Sequence, residues 1–301
     1  MKNCLLCLVG VWMVLPQAIS QYYFYDANHL EPEWRIEAGV SFGLMNCLTD
    51  LGGNKGNGSK LLKDVNWKYS KPSGGLYFSI THHDLIGIRL AFTAGSIAAS
   101  DSILKGKAQP ATLRYLRNLH FKSRILEWNI IMEIHPFYLK SNSNPEVSPY
   151  FLWGLGFFRF EPQAYIDGYW TSLQPLHTEG QGFIEYPKRV DYKLRQINIP
   201  LGLGAKYDVS DLLVLRMEFE YRILCTDYLD DVSQQYIDPA LFYKYFPSEK
   251  AKLAERLSDR SGEIDPLHQT KPGAIRGNPD NKDAYFSFNI KLGLILNRKK
   301  M

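Results

Sequence analysis

Apolar and polar residues alternate one for one along eight stretches of this chain. The sharpest runs over 213–223, where Leu213, Leu215, Met217, Phe219, Tyr221 and Ile223 interleave with Arg216, Glu218, Glu220 and Arg222. Successive side chains of a strand point to opposite faces, so period two predicts a β-strand with one apolar and one polar face. The same alternation predicts strands over 34–44, 75–81, 86–94, 124–134, 193–207 and 284–296. A further strand, 150–160, is apolar on both faces, with Phe151, Trp153, Leu155 and Phe157 opposed by Leu152, Gly154 and Gly156.

The connections alternate as well. Long links span 46–71, 98–120, 161–191 and 225–282, and short ones span 82–85, 137–148 and 208–211. Long loops at one end and short turns at the other form the pattern of an outer-membrane barrel. An even strand count brings both termini to the short-turn end. Alternation alone leaves open which face looks outward, because a secreted sandwich or a soluble ligand-binding barrel points its apolar face into a core. Volume separates these readings. An eight-stranded barrel has an interior just wide enough for a few layers of side chains, and roughly forty mostly large apolar groups do not fit there. Gly39, Gly43, Gly75, Gly87, Gly95, Gly154, Gly156, Gly202, Gly204 and Gly293 lie on the other face, as a crowded inner wall requires. The expected fold is therefore all-β: an eight-stranded antiparallel up-and-down transmembrane β-barrel with long extracellular loops, its apolar side chains turned to outer-membrane lipid.

Composition refines this picture in three ways. The 301 residues carry 35 Lys+Arg against 31 Asp+Glu, a net charge of +4 too small and dispersed to argue for nucleic acid. Beyond residue 20 there is no run of about 20 apolar residues, which excludes a helical membrane protein. Aromatics make up 14% of the chain, and Trp34, Tyr207 and Tyr221 fall at strand ends where interfacial girdles form. Residues 1–20 read as a signal peptide, with Lys2, an apolar run over 4–15 and the small-x-small site Ala18-Ile19-Ser20, leaving 21–301 as the barrel domain. Cys4 and Cys7 stand too early for a lipoprotein signal. Cys47 and Cys225 then remain, either paired or free, and two cysteines make neither a disulfide framework nor a zinc site.

Charged residues at inward positions are the first candidate chemistry. Arg35, Glu37, Arg89, Glu127, Glu133, Arg216, Glu218, Glu220, Arg222 and Lys291 would line the lumen. Such a set is either an ion path or a charge network that fills a narrow barrel; the second is expected, and with it no porin-like conductance. His82-His83-Asp84 reads as a polar turn, and His177 and His268 lie in long loops without a recognisable partner spacing. Asp227, Asp230 and Asp231 sit where the seventh predicted strand leaves the membrane, so a rim hydrolase site with His177 is the runner-up reading, and a surface-binding barrel whose long loops capture a ligand is a third. The segment 227–233 lacks the alternating ligands of a calcium loop. There is no glycine-rich phosphate loop, Cys-x-x-Cys or nucleophile elbow. No catalysis, cofactor or metal is expected. The link 225–282 is too long to be structureless. Asp238-Pro239 is expected to cap a helix through Phe246, and Ser248 a second through Leu257, with Leu253 and Leu257 on one face and the loop folded over the barrel mouth.

Several segments also resemble a known family. Asp50-Leu51-Gly52, Arg117-Asn118-Leu119-His120-Phe121-Lys122-Ser123, Thr178-Glu179-Gly180-Gln181-Gly182, Ile199-Pro200-Leu201-Gly202-Leu203-Gly204 and Cys225-Thr226-Asp227-Tyr228-Leu229-Asp230-Asp231-Val232-Ser233 are similar, in order and placement, to PorG-type outer-membrane barrels of Bacteroidota. Leu257-Ser258-Asp259-Arg260-Ser261 and Arg276-Gly277-Asn278-Pro279-Asp280 resemble that family too. Asp227, Tyr228, Asp230 and Asp231 form the family-like loop motif. The resemblance implies a component of the type IX secretion machinery, seated in the outer membrane with both termini periplasmic. It implies association with a periplasmic ring built from a PorK-like lipoprotein and its PorN-like partner; the topology then makes the turns 81–85, 137–148 and 208–212 the surface expected to face that ring. Many barrels of that family end on an aromatic residue, whereas Asn297-Arg298-Lys299-Lys300-Met301 overhangs here.

Overall fold

A computed structural model describes residues 33–52, 67–106, 111–139, 146–267 and 270–297. Ten strands follow in chain order: β1 (Trp34–Leu48), β2 (Lys71–His82), β3 (Ile86–Ser100), β4 (His120–Ile134), β5 (Val147–Arg159), β6 (Pro162–Ile166), β7 (Tyr169–Ser172), β8 (Arg195–Asp208), β9 (Leu213–Leu224) and β10 (Ala284–Ile295). Eight of them pair in the order β3-β2-β1-β10-β9-β8-β5-β4, and β4 pairs with β3 to close the ring. Each of these pairings is antiparallel. Closure leaves no unpaired strand edge, the condition for crossing a hydrocarbon layer with strands.

The alternation sorts the two faces as a lipid-facing barrel does. Phe42, Trp128, Leu155 and Ile197 are 67%, 62%, 64% and 58% exposed, while inward neighbours such as Glu127, Glu133 and Arg89 are fully buried. A water-soluble barrel would invert this, because large apolar side chains are stabilised by leaving water. The chain is an up-and-down eight-stranded transmembrane barrel. Its inner wall is built for crowding: a Cβ on Gly204 would strike the Tyr150 ring, and a Cβ on Gly39 would come within 2.6 Å of Tyr77 Cε1.

Strands overrun their expected bounds at the long-loop end, where β1 and β3 continue to Leu48 and Ser100. Beyond the apolar belt the outer positions are wet or covered by loops, so alternation fades there although the ladder persists. The hairpin β6–β7 lies within the link 161–191, and β6 pairs with the start of β4 through Lys122↔Gln163. Among the described residues, three short α-helices, α1 (Ala111–Arg117), α2 (Ala240–Tyr245) and α3 (Ser248–Ser258), lie in the long links. The first expected cap is only partly formed: Pro239 is the N-cap of α2 and carries no side-chain cap, while Asp238 Oδ1, just before it, accepts from Ala240 N at 3.0 Å. The second expected cap is corrected: Ser248 is the first residue of α3, Pro247 precedes it, and no side chain caps that end. Ala251, Ala254 and Leu257 of α3 are buried against Phe183, Ile237 and Phe242, with Leu253 packed alongside.

The loops close the barrel end. Met45, Ile97, Ile125, Phe158 and Tyr285 from the inner wall form one cluster with Leu51, Leu119, Leu229 and Val232 from the loops. The described chain ends, β1 at Trp34 and β10 at Ile295, both lie at the short-turn end, where Asn297 accepts from Ile36 N at 3.0 Å. The expected signal peptide 1–20, His268, residues 140–145 of the turn 137–148 and residues 298–301 lie outside the described residues.

Candidate functional site

Inward positions of the strands deliver a chain of ion pairs across the lumen. Arg216 on β9 grips Glu37 on β1 side-on, with Nε–Oε1 at 2.9 Å and Nη2–Oε2 at 2.7 Å. Its Nη1 reaches Glu133 on β4 at 2.9 Å. Glu133 lies 3.0 Å from Arg89 on β3, and Arg89 forks onto Glu218 on β9 at 2.5 and 3.1 Å. Lys291 on β10 bridges Glu218 at 2.5 Å and Glu220 at 2.9 Å. Arg222 joins Glu220 at 2.7 Å to Glu127 at 3.2 Å. Nine of the ten charged residues singled out from the sequence thus form one alternating chain running from β1 through β9 and β3 to β4.

Arg35 stands apart. It pairs with Asp208 at 2.6 Å and with Asp84 at 3.5 Å, and Asp84 also holds Lys206 at 2.8 Å. This second cluster sits at the short-turn end, where His83 and Asp84 adopt φ of +48° and +53° to make the tight turn between β2 and β3. Tyrosines fill the space between charges: Tyr77 donates to Glu37, Tyr150 to Glu218, and Tyr285 to Glu127, the last at 2.9 Å. Asn198 Nδ2 also donates to Glu127 at 2.6 Å, and Ser287 Oγ accepts from Arg222 at 2.6 Å. A buried carboxylate is tolerated when its lone pairs are met, and these tyrosines and Asn198 add hydrogen bonds to those of Glu37, Glu218 and Glu127. Tyr77, Tyr150, Asn198, Lys206, Tyr285 and Ser287 were legible as inward positions of the same alternation.

A second polar centre lies in the cap above the lumen. Arg117 grips Asp101 through Nε at 2.8 Å and Nη2 at 2.9 Å, and donates to Asp50 O at 2.8 Å and to Arg276 O. Arg276 pairs with Glu179 at 2.9 Å and donates to Asp231 O at 2.6 Å and Ser258 O at 3.1 Å. Glu179 accepts the amides of Ser233 and Gln234, each at 3.0 Å. Asp231, in a left-handed conformation with φ +67°, accepts from Thr178 Oγ1 at 2.5 Å and Tyr192 OH at 2.6 Å. Asp230 accepts the amides of Leu51 at 3.1 Å and Val232 at 3.0 Å. Tyr228 stacks on Tyr192 with ring centroids 4.8 Å apart. Each loop segment singled out from the sequence sends a residue into this centre, although they are scattered from Asp50 to Asn278.

Burial governs the carboxyls of the cap. It pushes Asp227 up to about 7 and Asp231 up to about 6, Arg276 partly offsetting the latter. Asp50 is also raised by burial to about 6, and Asp230 and Asp283 lie well above the usual carboxylate range for the same reason. Both Asp227 carboxylate oxygens are buried. The rim pairing of these residues with His177 is not formed: His177 Nδ1 meets the carbonyl of Gln181, and its ring stacks on Phe183. Among the described residues, no group of three or more His, Cys, Asp or Glu is arranged to hold a metal ion. Cys47 is buried, Cys225 is exposed, and the two are unpaired.

The sequence matches no established family profile and no curated protein. Solved structures of outer-membrane barrels overlap it over most of their length. Ail, the attachment invasion locus protein of Yersinia pestis, is 11% identical, with 89% of this chain and 100% of that chain covered at a TM-score of 0.36. Neisserial surface protein A is 9% identical, covering 88% and 98% at 0.36. OprG of Pseudomonas aeruginosa is 13% identical, covering 89% and 97% at 0.37. At such scores the closed strand order and the outward apolar belt, rather than the overlays, define the fold of this chain.

Proposed function

We propose that this chain is a non-enzymatic, non-conducting barrel of the outer membrane that serves the type IX secretion machinery as a docking component. Residues 1–20 direct its export, the capped end faces outward, and the short-turn end, with both termini, faces the periplasm. There the turns 81–85, 137–148 and 208–212 present the surface to a PorK-like lipoprotein and its PorN-like partner. The observation that carries this reading is the convergence of the family-like segments on one buried centre. Asp50, Arg117, Glu179, Asp231, Ser258 and Arg276 are joined there by hydrogen bonds and ion pairs. Segments that resemble a family separately, yet interlock in the fold, are what a shared cap architecture produces. The lumen supports a docking role over transport, since a charge chain with tyrosines between its members leaves an eight-stranded interior filled.

Deletion of the gene tests the secretion role. The mutant is expected to retain type IX cargo in the periplasm, and tagged barrel to co-purify with the ring proteins. Normal cargo export together with a barrel that never co-purifies with the ring would refute it.

A further inference from the structure

We infer that one outer sector of the barrel, spanning β4, β5 and β8, is a binding surface for the phosphate groups of a membrane lipid whose acyl chains lie on the apolar belt. Lys122 and Arg124 on β4, Arg159 on β5, Arg195 at the start of β8 and Lys193 just before it are all exposed. They continue the outward face carried lower down by Leu126, Trp128, Phe157 and Ile197, whose last three members are 62%, 49% and 58% exposed. Arg159 follows Phe157, and Arg195 precedes Ile197, by two residues. The guanidinium groups therefore start about 7 Å beyond the last apolar ring. Phosphates of a lipid sit at that height, just outside the hydrocarbon.

The strand register brings these cations together. Arg159 and Arg195 are direct partners across β5 and β8, and Arg159 is also opposite Leu126 on β4. Like charges directly opposite on a sheet face repel. Among the described residues, Arg124, Arg159, Lys193 and Arg195 have no ion pair or side-chain hydrogen bond. Lys122 lies 5.4 Å from the centroid of the Trp170 ring, which fixes its height by a cation–π contact. Glu161 is one carboxylate at this edge, and its Oε1 accepts from Ser172 Oγ at 2.7 Å. Asp191, two residues before Lys193, is a second carboxylate there and is held by Gln174 Nε2 at 2.9 and 3.1 Å, so five cations against two hydrogen-bonded carboxylates form a cationic patch suited to an anion. Guanidinium forks suit phosphate oxygens, which accept paired N–H bonds. The sector formed by β10, β1 and β2 differs: toward the same end it carries Leu44 and Phe288, with Trp67 packed 5.7 Å from Phe288.

Apolar contact beside a phosphate-binding edge selects a lipid over free phosphate. The inference rests on the lipid-facing belt and is independent of the secretion role. Its test is native mass spectrometry of the purified full-length barrel in detergent, titrated with lipid A bearing two phosphates. The comparison set is dephosphorylated lipid A, inorganic phosphate, and the variant Arg124→Gln/Arg159→Gln/Arg195→Gln. Lys71→Gln, on the inward face of β2 opposite Met45, serves as the control for loss of a single charge outside this sector, and heat-modifiable gel mobility reports folding. The expected result is retention of phosphorylated lipid A by the wild type and by Lys71→Gln. Affinity should fall about 100-fold in the triple variant, about fivefold for each charge removed. Equal affinity in the folded triple variant, equal retention of dephosphorylated lipid, or full competition by inorganic phosphate would each overturn the assignment.

Discussion

Arg216 holds two carboxylates at once, Glu37 and Glu133, in an interior where none of the three touches water. Removing it leaves Glu37 without a cation, held by Tyr77 alone, and Glu133 with Arg89 as its remaining cation. Breaking one partner of a buried pair costs about 3–5 kcal/mol, so Arg216→Ala should lower the urea midpoint of the folded barrel by that equivalent. Adding Glu37→Gln should recover part of the loss, and strict additivity in that double-mutant cycle would contradict the pairing. Asp227 gives a prediction of opposite character. Its folded-state value of about 7 lies above the roughly 3.9 of a free aspartate, so the stability it adds is complete below about pH 4 and is lost as pH rises through about 7. Asp231 and Asp50, each near 6, act in the same direction. Hydrogen exchange at the amides of Leu229 and Val232, corrected for intrinsic rates, should be slower at pH 5 than at pH 8. Asp227→Asn should flatten that difference; an unchanged pH dependence in the variant would place its origin elsewhere.

At the scale of elements, the strands carry their own signature and the loops do not. Period two over 213–223 became β9, with Arg216, Glu218, Glu220 and Arg222 inward, because one residue of slip would put charges into lipid. The lumen residues were legible by the same rule. The hairpin β6–β7 was not, because strands of five and four residues are too short to show a period. That the 225–282 link folds over the mouth was legible from its length and helix signals, but the internal contacts of the cap were not. Its contacts join residues far apart in sequence, such as Asn278 N to Asp50 Oδ2 at 2.6 Å across a separation of 228, and no local pattern encodes them. Wall and lumen are coupled at Gly204 on β8, where a Cβ would strike the Tyr150 ring that donates to Glu218. Gly204→Val should therefore reduce the yield of heat-modifiable barrel sharply. Gly262→Ala, with open space around it, should leave the yield unchanged.

At the scale of the molecule, the averages of the sequence conceal two opposed surfaces and two closures. The outer surface is a lipid belt with a cationic sector along one edge. The interior is a charge chain spaced by tyrosines, and the loops set a second polar centre over its mouth. A barrel closed in both ways is suited to holding something at the membrane rather than passing something through it. The most direct test is single-channel recording of the purified full-length protein in planar lipid bilayers. The arrangement predicts a baseline without stable steps. A steady, porin-sized conductance that disappears on heat denaturation would contradict it.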